Sequence, residues 1–302
     1  MSPTSSESLR ESYARDGYVV VPQVLSREEC GALVARTEGL MRGEVRDTRV
    51  RPNQIQTQFG AGNGVKMVKL SQLTASDPVF GELASRPSVV DVVETLIGPG
   101  ARIFRDVLIV KPGRTGGPVS YHQDSAYWDV EPKALVSCWV ALTDVAADGS
   151  CLEVIPGTHD RSRPHGLYLR GRHPLPQPVV SALRKAVSYA GTGDNPGEAG
   201  GSTAVWKLKR LVLAQATRYL PVLGDLQDYR VRLEEVASAR TLSLPLRAGD
   251  AVFFHSLLLH ATGPNRSERT RYAPIISYMS RDARFVGRGK ADFRPARREQ
   301  AA

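Results

Sequence analysis

The chain has 302 residues, 41% hydrophobic and 24% charged, with a formal net charge of +9. That composition suits a globular protein and excludes a disordered or fibrous one. No apolar run is long enough to span a bilayer, and the opening Met1-Ser2-Pro3-Thr4-Ser5-Ser6 lacks the apolar core of a secretion signal, so no membrane partner is expected.

Residues 6–17 read as a short helix running into an apolar strand, Gly17-Tyr18-Val19-Val20-Val21, stopped by Pro22. Ser26 is placed to cap a second helix with Glu29 at the capping-box position, and Leu33, Val34 and Leu40 extend its apolar side. Residues 44–64 are polar and read as a loop with short strands, and Met67-Val68-Lys69-Leu70 as a strand. Asp77-Pro78 and Pro87 each open a helix, the second closed by Gly98-Pro99-Gly100. From residue 101 the period changes to two. Strands are predicted over 102–110 (stopped by Lys111-Pro112-Gly113), 134–142, 151–155 after an Asp148-Gly149 turn, 241–246, 251–255, 257–260 and 272–278. Helices first and antiparallel strands later predict an α+β domain around a β-sandwich or jelly roll.

Residues 161–240 break that rhythm. Helices are predicted over 179–189, 205–219 and 226–237, around a Gly-rich loop at 191–202. The stretch reads as a helical insertion within a single 1–302 domain, either a lid with substrate contacts or a helical buttress. It holds 13 Lys and Arg against 6 Asp and Glu, and residues 281–302 hold 7 against 3. Solubilising Arg on exposed helices would account for this, as would attraction of an anionic substrate. No nucleic-acid module is visible, so no nucleic-acid partner is expected. Cys30, Cys138 and Cys151 form neither a CxxC pair nor an even framework, so reduced thiols in a cytoplasmic protein are expected.

The stretch that carries chemistry is Tyr121-His122-Gln123-Asp124. On an extended strand His122 and Asp124, two residues apart, point to one face, where an imidazole and a carboxylate take adjacent positions on a metal. A second His from a distance, His260, completes a 2-His-1-carboxylate set, which is characteristic of non-haem Fe(II) oxygenases. By itself His-x-Asp also fits a surface pair.

Further motifs decide between these. They are Asp16-Gly17-Tyr18-Val19-Val20-Val21-Pro22 followed by Leu25-Ser26-Arg27-Glu28-Glu29-Cys30; then Tyr121-His122-Gln123-Asp124, Trp139, Gly149-Ser150-Cys151-Leu152 and Ile155-Pro156-Gly157-Thr158-His159; and last Gly249-Asp250-Ala251-Val252-Phe253-Phe254-His255, His260, Asn265 and Arg271. In this order and spacing the chain resembles the phytanoyl-CoA dioxygenase family of Fe(II)/2-oxoglutarate-dependent oxygenases, from about residue 13 to 280 and most weakly across 161–240. The resemblance implies a double-stranded β-helix, the jelly-roll or cupin-like barrel, flanked by N-terminal helices. It implies Fe(II) held by His122, Asp124 and His260, with 2-oxoglutarate and O2 as cosubstrates. Arg271, eleven residues after His260, matches the Arg that grips the far carboxylate of 2-oxoglutarate, a task suited to a fixed, forked cation. Arg266 and Arg269 compete for that role, and strand alternation does not choose among them. Thr262 matches a hydroxyl that helps bind the same carboxylate. Gln123, Trp139 and Lys69 match positions near the cosubstrate, with plain core for Trp139 and plain surface for Lys69 as the bland alternatives. His255 is read as structural, since His260 has the family's spacing to Arg271, and His159 as a hydrogen-bonding partner of a neighbouring loop.

The presence of Asp124 argues for oxygen insertion over halogenation, because related halogenases carry Gly or Ala there. Desaturation, ring closure and epimerisation stay open. The Arg-, Ala- and Gly-rich composition points to high-GC bacterial coding. The implied function is therefore hydroxylation or other oxidative tailoring of a small molecule in specialised metabolism, with an acyl-CoA or carrier-linked substrate as the alternative. A non-catalytic jelly-roll binding module, and a hydrolase or isomerase using another divalent metal, are the readings from other classes. Oligomeric state is not readable.

Overall fold

The computed structural model describes residues 5–59, 64–126, 128–169, 173–174, 229–231, 236, 238–286 and 293–297. The chain begins with α1 (Ser6–Asp16), β1 (Tyr18–Val21), α2 (Arg27–Arg42), β2 (Ile55–Phe59) and β3 (Val65–Ser71), then α3 (Leu73–Ser76), α4 (Pro78–Ala84) and α5 (Pro87–Ile97). Strands follow: β4 (Arg102–Lys111), β5 (Val119–His122), β6 (Val130–Glu131), β7 (Leu135–Val140), β8 (Leu152–Val154), β9 (His165–Leu169) and β10 (His173–Pro174). The rest are β11 (Tyr229–Val231), β12 (Leu242–Leu244), β13 (Ala251–His255), β14 (His260–Thr262), β15 (Arg271–Met279) and β16 (Arg284–Phe285).

Local signals fix the helical entry. Ser5 caps α1 by accepting from the Ser8 N–H, and Gly17 ends it at φ 81°. Only a residue without a Cβ sits there freely, and a Cβ at Gly17 would also collide with the His159 ring. The predicted capping box on α2 is present, Ser26 Oγ accepting from the Glu29 N–H and Glu29 Oε2 from the Ser26 N–H.

Two units are distinguished, residues 1–119, 123–162 and 239–302 forming the first, and 120–122 with 163–238 the second. In the first, a seven-stranded sheet runs β1-β13-β7-β15-β4-β3-β2, with every pairing antiparallel. A four-stranded sheet is ordered β12-β8-β14-β5. Trp139, Val252, Phe254 and Ala273 from the large sheet pack against Leu152 and Val154 from β8, forming the inner core. On its other face the large sheet buries Leu70, Leu108, Cys138, Phe253 and Tyr278 against the N-terminal helices. Val89, Val90 and Val93 of α5 are each fully buried there, worth roughly 1.5–3 kcal/mol apiece. This is the jelly-roll α+β fold that the motifs imply.

Within residues 163–238 of the second unit, the described strands form a three-stranded antiparallel sheet, β10-β9-β11. Its β11 corrects the helix predicted over 226–237, since Tyr229–Val231 pair with Leu167–His165 instead. Tyr-Arg-Val is a strand-forming triplet, and the helical spacing around it misled. The helices predicted over 179–189 and 205–219 and the loop at 191–202 lie outside the described residues. In the first unit Leu257–Leu259 are loop rather than strand, with β14 starting only at His260. All three cysteines are buried and unbridged. No helix among the described residues is long and apolar enough to cross a membrane.

Candidate active site

Strand β5 ends at His122, and Asp124 opens a 3₁₀ turn, Asp124–Ala126. The two therefore do not share a face through strand alternation, as the spacing predicts. A seam positions the carboxylate instead. The Ser125 N–H donates to the Ser256 carbonyl at 2.9 Å and Ser125 Oγ to Ser256 Oγ at 2.6 Å, tying the turn to the loop that leads into His260. Gln123 tightens the same loop, its Nε2 donating to the carbonyls of Leu257 and Arg161. That makes it a brace for His260 beyond any contact with a cosubstrate.

Ligand atoms of His122, Asp124 and His260 lie within 4.8 Å of one another, with His260 Nε2 3.7 Å from Asp124 Oδ1. Each histidine has its Nδ1 against a carbonyl, His122 on Ser120 at 2.8 Å and His260 on Leu258 at 3.0 Å. A carbonyl only accepts, so Nδ1 carries a hydrogen, which in the neutral ring leaves the lone pair on Nε2. Asp124 Oδ2 accepts from Ser137 Oγ at 2.9 Å, and Ser137 in turn meets Ser277 Oγ at 2.9 Å. Two imidazole nitrogens and one carboxylate oxygen, each oriented by a bond to its second heteroatom, fit a metal of the Fe(II) type with positions to spare.

A second cluster is cationic. Arg271 opens β15, is 3% exposed, and donates from Nη1 to the Ser150 carbonyl at 2.9 Å. Its Nε has no hydrogen-bond partner, and its guanidinium carbon lies 5.4 Å from the Trp139 ring centroid. Among the described residues no carboxylate pairs with it. Burial pushes it down to about 9, so it stays charged at neutral pH. Directly across the β4–β15 register is Lys111, also fully buried. Its Nζ donates to Ser150 Oγ at 2.8 Å, Thr262 Oγ1 at 2.7 Å and the Gly263 carbonyl at 3.1 Å. Arg271, Trp139 and Thr262 are thus brought together.

Lys69 stands apart on β3, opposite Ile109 of β4. No described hydrogen bond joins it to this cluster. Burial, then the charges of Arg105 and Lys66, push its ammonium down to about 8. Of the competitors, Arg266 and Arg269 fall in the turn before β15. His255 Nδ1 accepts from the Leu257 N–H at 3.0 Å, and its ring packs on His159 and Tyr13, 5.4 and 6.0 Å away. The loop hydrogen bond expected of His159 is missing at Nδ1, which is buried without a partner. Sequence reasoning missed Lys111, Ser137 and Ser150. Lys111 was visible only as the end of a strand before Pro-Gly.

A family profile described as "Phytanoyl-CoA dioxygenase (PhyH)" matches residues 13–182 and 219–273. The peroxisomal phytanoyl-CoA dioxygenase of Rattus norvegicus is 25% identical over 285 residues, 92% of this chain and 69% of the rat protein. The ectoine dioxygenase of Bordetella bronchiseptica is 28% identical over 153 residues, 49% of this chain and 48% of that protein. Among solved structures, SnoN, a non-heme alpha ketoglutarate dependent epimerase from nogalamycin biosynthesis, matches with a TM-score of 0.62 at 22% identity, covering 98% of both chains. EctD from S. alaskensis, solved with 2-oxoglutarate and 5-hydroxyectoine, matches with a TM-score of 0.57 at 20% identity, covering 91% of this chain and 76% of its own. The chain belongs to the phytanoyl-CoA dioxygenase family, an enzyme class that works with Fe(II), 2-oxoglutarate and O2.

Proposed function

We propose that this enzyme hydroxylates, or otherwise oxidatively tailors, an unactivated C–H bond of a small anionic molecule. In this reading His122, Asp124 and His260 hold the iron, and Arg271 with Thr262 grips the far carboxylate of 2-oxoglutarate. One observation carries it: a convergent N,N,O donor set occurs in the same chain as a buried arginine that no carboxylate among the described residues neutralises. A module that only binds has no use for both.

With its cofactor and cosubstrates bound, such a site converts 2-oxoglutarate, O2 and R–H into succinate, CO2 and R–OH. The chain's residues supply orientation. Ser120 and Leu258 carbonyls hold the two imidazoles in the tautomer with Nε2 unprotonated, and Ser137 fixes the Asp124 carboxylate. The Arg271 guanidinium carbon lies over the Trp139 ring, 5.4 Å from its centroid, and its unpartnered Nε is left for a carboxylate.

An anionic substrate is supported by Lys69, whose charge is disfavoured first by burial and then by the neighbouring cations Arg105 and Lys66. A carboxylate or phosphate arriving there would relieve that repulsion. This also keeps an acyl-CoA or carrier-linked substrate in view. The excess of Lys and Arg over Asp and Glu across residues 161–240 is consistent with an anionic substrate. Likeness to a nogalamycin epimerase and an ectoine dioxygenase favours specialised metabolism, and three unbridged cysteines favour the cytoplasm.

The test is an anaerobic titration of the apoprotein with Fe(II) and 2-oxoglutarate, followed by the visible charge-transfer band. The band is expected in the parent protein and absent in His260→Ala. If well-folded parent protein gives no band, the reading fails and a binding module, or another metal in the same cage, takes its place. Succinate formation then ranks candidate substrates, beginning with anionic small molecules.

A further inference from the structure

Lys111 has no place in the reading above, and its surroundings are unusual for a lysine. It is completely buried and sits across from a second buried cation, Arg271. Its backbone is fixed, with Asn265 Nδ2 donating to the Lys111 carbonyl at 3.0 Å and to the Arg269 carbonyl at 2.8 Å. The side chain therefore has little freedom to leave.

Around Nζ lie three oxygens, Thr262 Oγ1, Ser150 Oγ and the Gly263 carbonyl. An ammonium has three hydrogens and matches them one to one. A neutral amine has two hydrogens and a lone pair, so a neighbouring hydroxyl must then donate to it. The Ser150 hydroxyl is already committed to the Gly263 carbonyl. Thr262 is the remaining donor. Neutral Lys111 therefore draws the Thr262 hydrogen to itself, and protonated Lys111 turns it away.

We propose that Lys111 is a positioning residue of the 2-oxoglutarate subsite: as an ammonium it holds Thr262 Oγ1 as an acceptor, directs the Thr262 O–H to the carboxylate gripped by Arg271, and couples binding of that dianion to uptake of one proton from solvent. This rests on the assignment of Arg271 and Thr262 to 2-oxoglutarate. The charge balance agrees with it. Burial first, then Arg271, Lys66 and Lys69, push Lys111 down to about 5, and Glu153 alone pulls the other way. Without an anion that balance disfavours the charged amine. A carboxylate beside Arg271 reverses that balance.

The experiment is calorimetric titration of the anaerobic Fe(II) enzyme with 2-oxoglutarate at pH 7, in buffers of different ionisation enthalpy. The parent protein is expected to take up about one proton per ligand, with Kd weakening by up to about tenfold per pH unit between about pH 6 and 8. Lys111→Met is expected to bind roughly tenfold more weakly, with no proton uptake and a flat pH profile. Thr262→Val is expected to weaken binding and keep the proton uptake. No proton uptake in the parent protein, a result that needs no variant, overturns the inference, as does Lys111→Met with unchanged affinity and proton count. Arg271→Met separates the two levels. If it binds as tightly as the parent, the subsite assignment itself is wrong. If it binds weakly while Lys111→Met is unaltered, only the role of Lys111 falls.

Discussion

Replacing Arg271 by Met should move stability and binding in opposite directions. The ligand-free enzyme buries this guanidinium with one hydrogen bond, to the Ser150 carbonyl, and one ring contact, to Trp139. The bond to a charged donor contributes about 1.5–3 kcal/mol, and the cation–π contact about 0.5–2 kcal/mol. Against them stands the desolvation of a charge without a counter-ion, several kcal/mol. Met keeps the volume and removes that penalty. The ligand-free variant is therefore expected to be as stable as the parent or up to about 2 kcal/mol more so, a rise in Tm of at most roughly 4 °C for a chain this long. Binding should suffer, because the far carboxylate of 2-oxoglutarate would enter a buried site with its fork of donors gone. A loss of about 3–5 kcal/mol raises Kd by roughly two to four orders of magnitude. Thermal melts of the metal-loaded, anaerobic protein with and without 2-oxoglutarate read both effects. At a hundred times its Kd the ligand stabilises the parent by about 2.7 kcal/mol, and that gain should vanish in the variant. A variant that melts well below the parent yet keeps the gain from 2-oxoglutarate would show that Arg271 only holds the start of β15 in place and binds nothing.

Two further outcomes follow from named contacts. Ser137→Ala removes the hydroxyl that holds Asp124 Oδ2, and Fe(II) affinity is expected to fall at least about tenfold with the fold intact; an unchanged Fe(II) titration would mean the carboxylate is positioned by other contacts. His255 is pushed down to about 4 by burial and by its neighbour His159, whereas in the unfolded chain it titrates near its ordinary value of about 6.5. Between those two pH values the unfolded state binds more protons, so stability is full above about pH 6.5 and is lost as pH falls towards 4, by roughly 3 kcal/mol at the limit. His255→Asn keeps an acceptor for the Leu257 N–H through an Asx-type turn and should flatten the acid limb of a Tm-against-pH curve by about one proton. An acid limb as steep as the parent's would place the titrating group elsewhere.

Elements whose cause is local were legible. The capping box on α2, the proline starts of α4 and α5, and the period-two run of β4 are written within a few residues of where they act. β11 was not, because Tyr229–Val231 form a strand only with β9 beside them, sixty residues earlier in the chain. Leu257–Leu259 show the reverse error. An apolar run ending at a buried histidine reads as strand, yet its backbone serves the site instead, the Leu258 carbonyl fixing the His260 tautomer and the Leu257 carbonyl accepting from Gln123.

The metal half and the anion half of the site differ in the same way. Imidazole and carboxylate in a short spacing suggest a chelate, so His122 and Asp124 stand out in the sequence, and their donor atoms do lie within 4.8 Å of one another and of His260, although not through strand alternation. The seam that orients them, Ser125 to Ser256 and Ser137 to Asp124, joins residues from 13 to 131 positions apart and leaves no local mark. Lys111 is the sharper case. A lysine closing a strand before Pro-Gly is ordinarily a solvated end, and nothing nearby contradicts that. Only the register that sets it opposite Arg271, 160 residues later, turns it into a buried amine beside a buried cation. A buried amine facing a buried guanidinium with no paired acid is costly to charge in the empty protein, and a cost of that kind persists where a ligand repays it. The anionic end of 2-oxoglutarate is the ligand of this family whose charge fits that vacancy of negative charge, which makes the Lys111–Arg271 pair a stronger pointer to the cosubstrate than either residue alone.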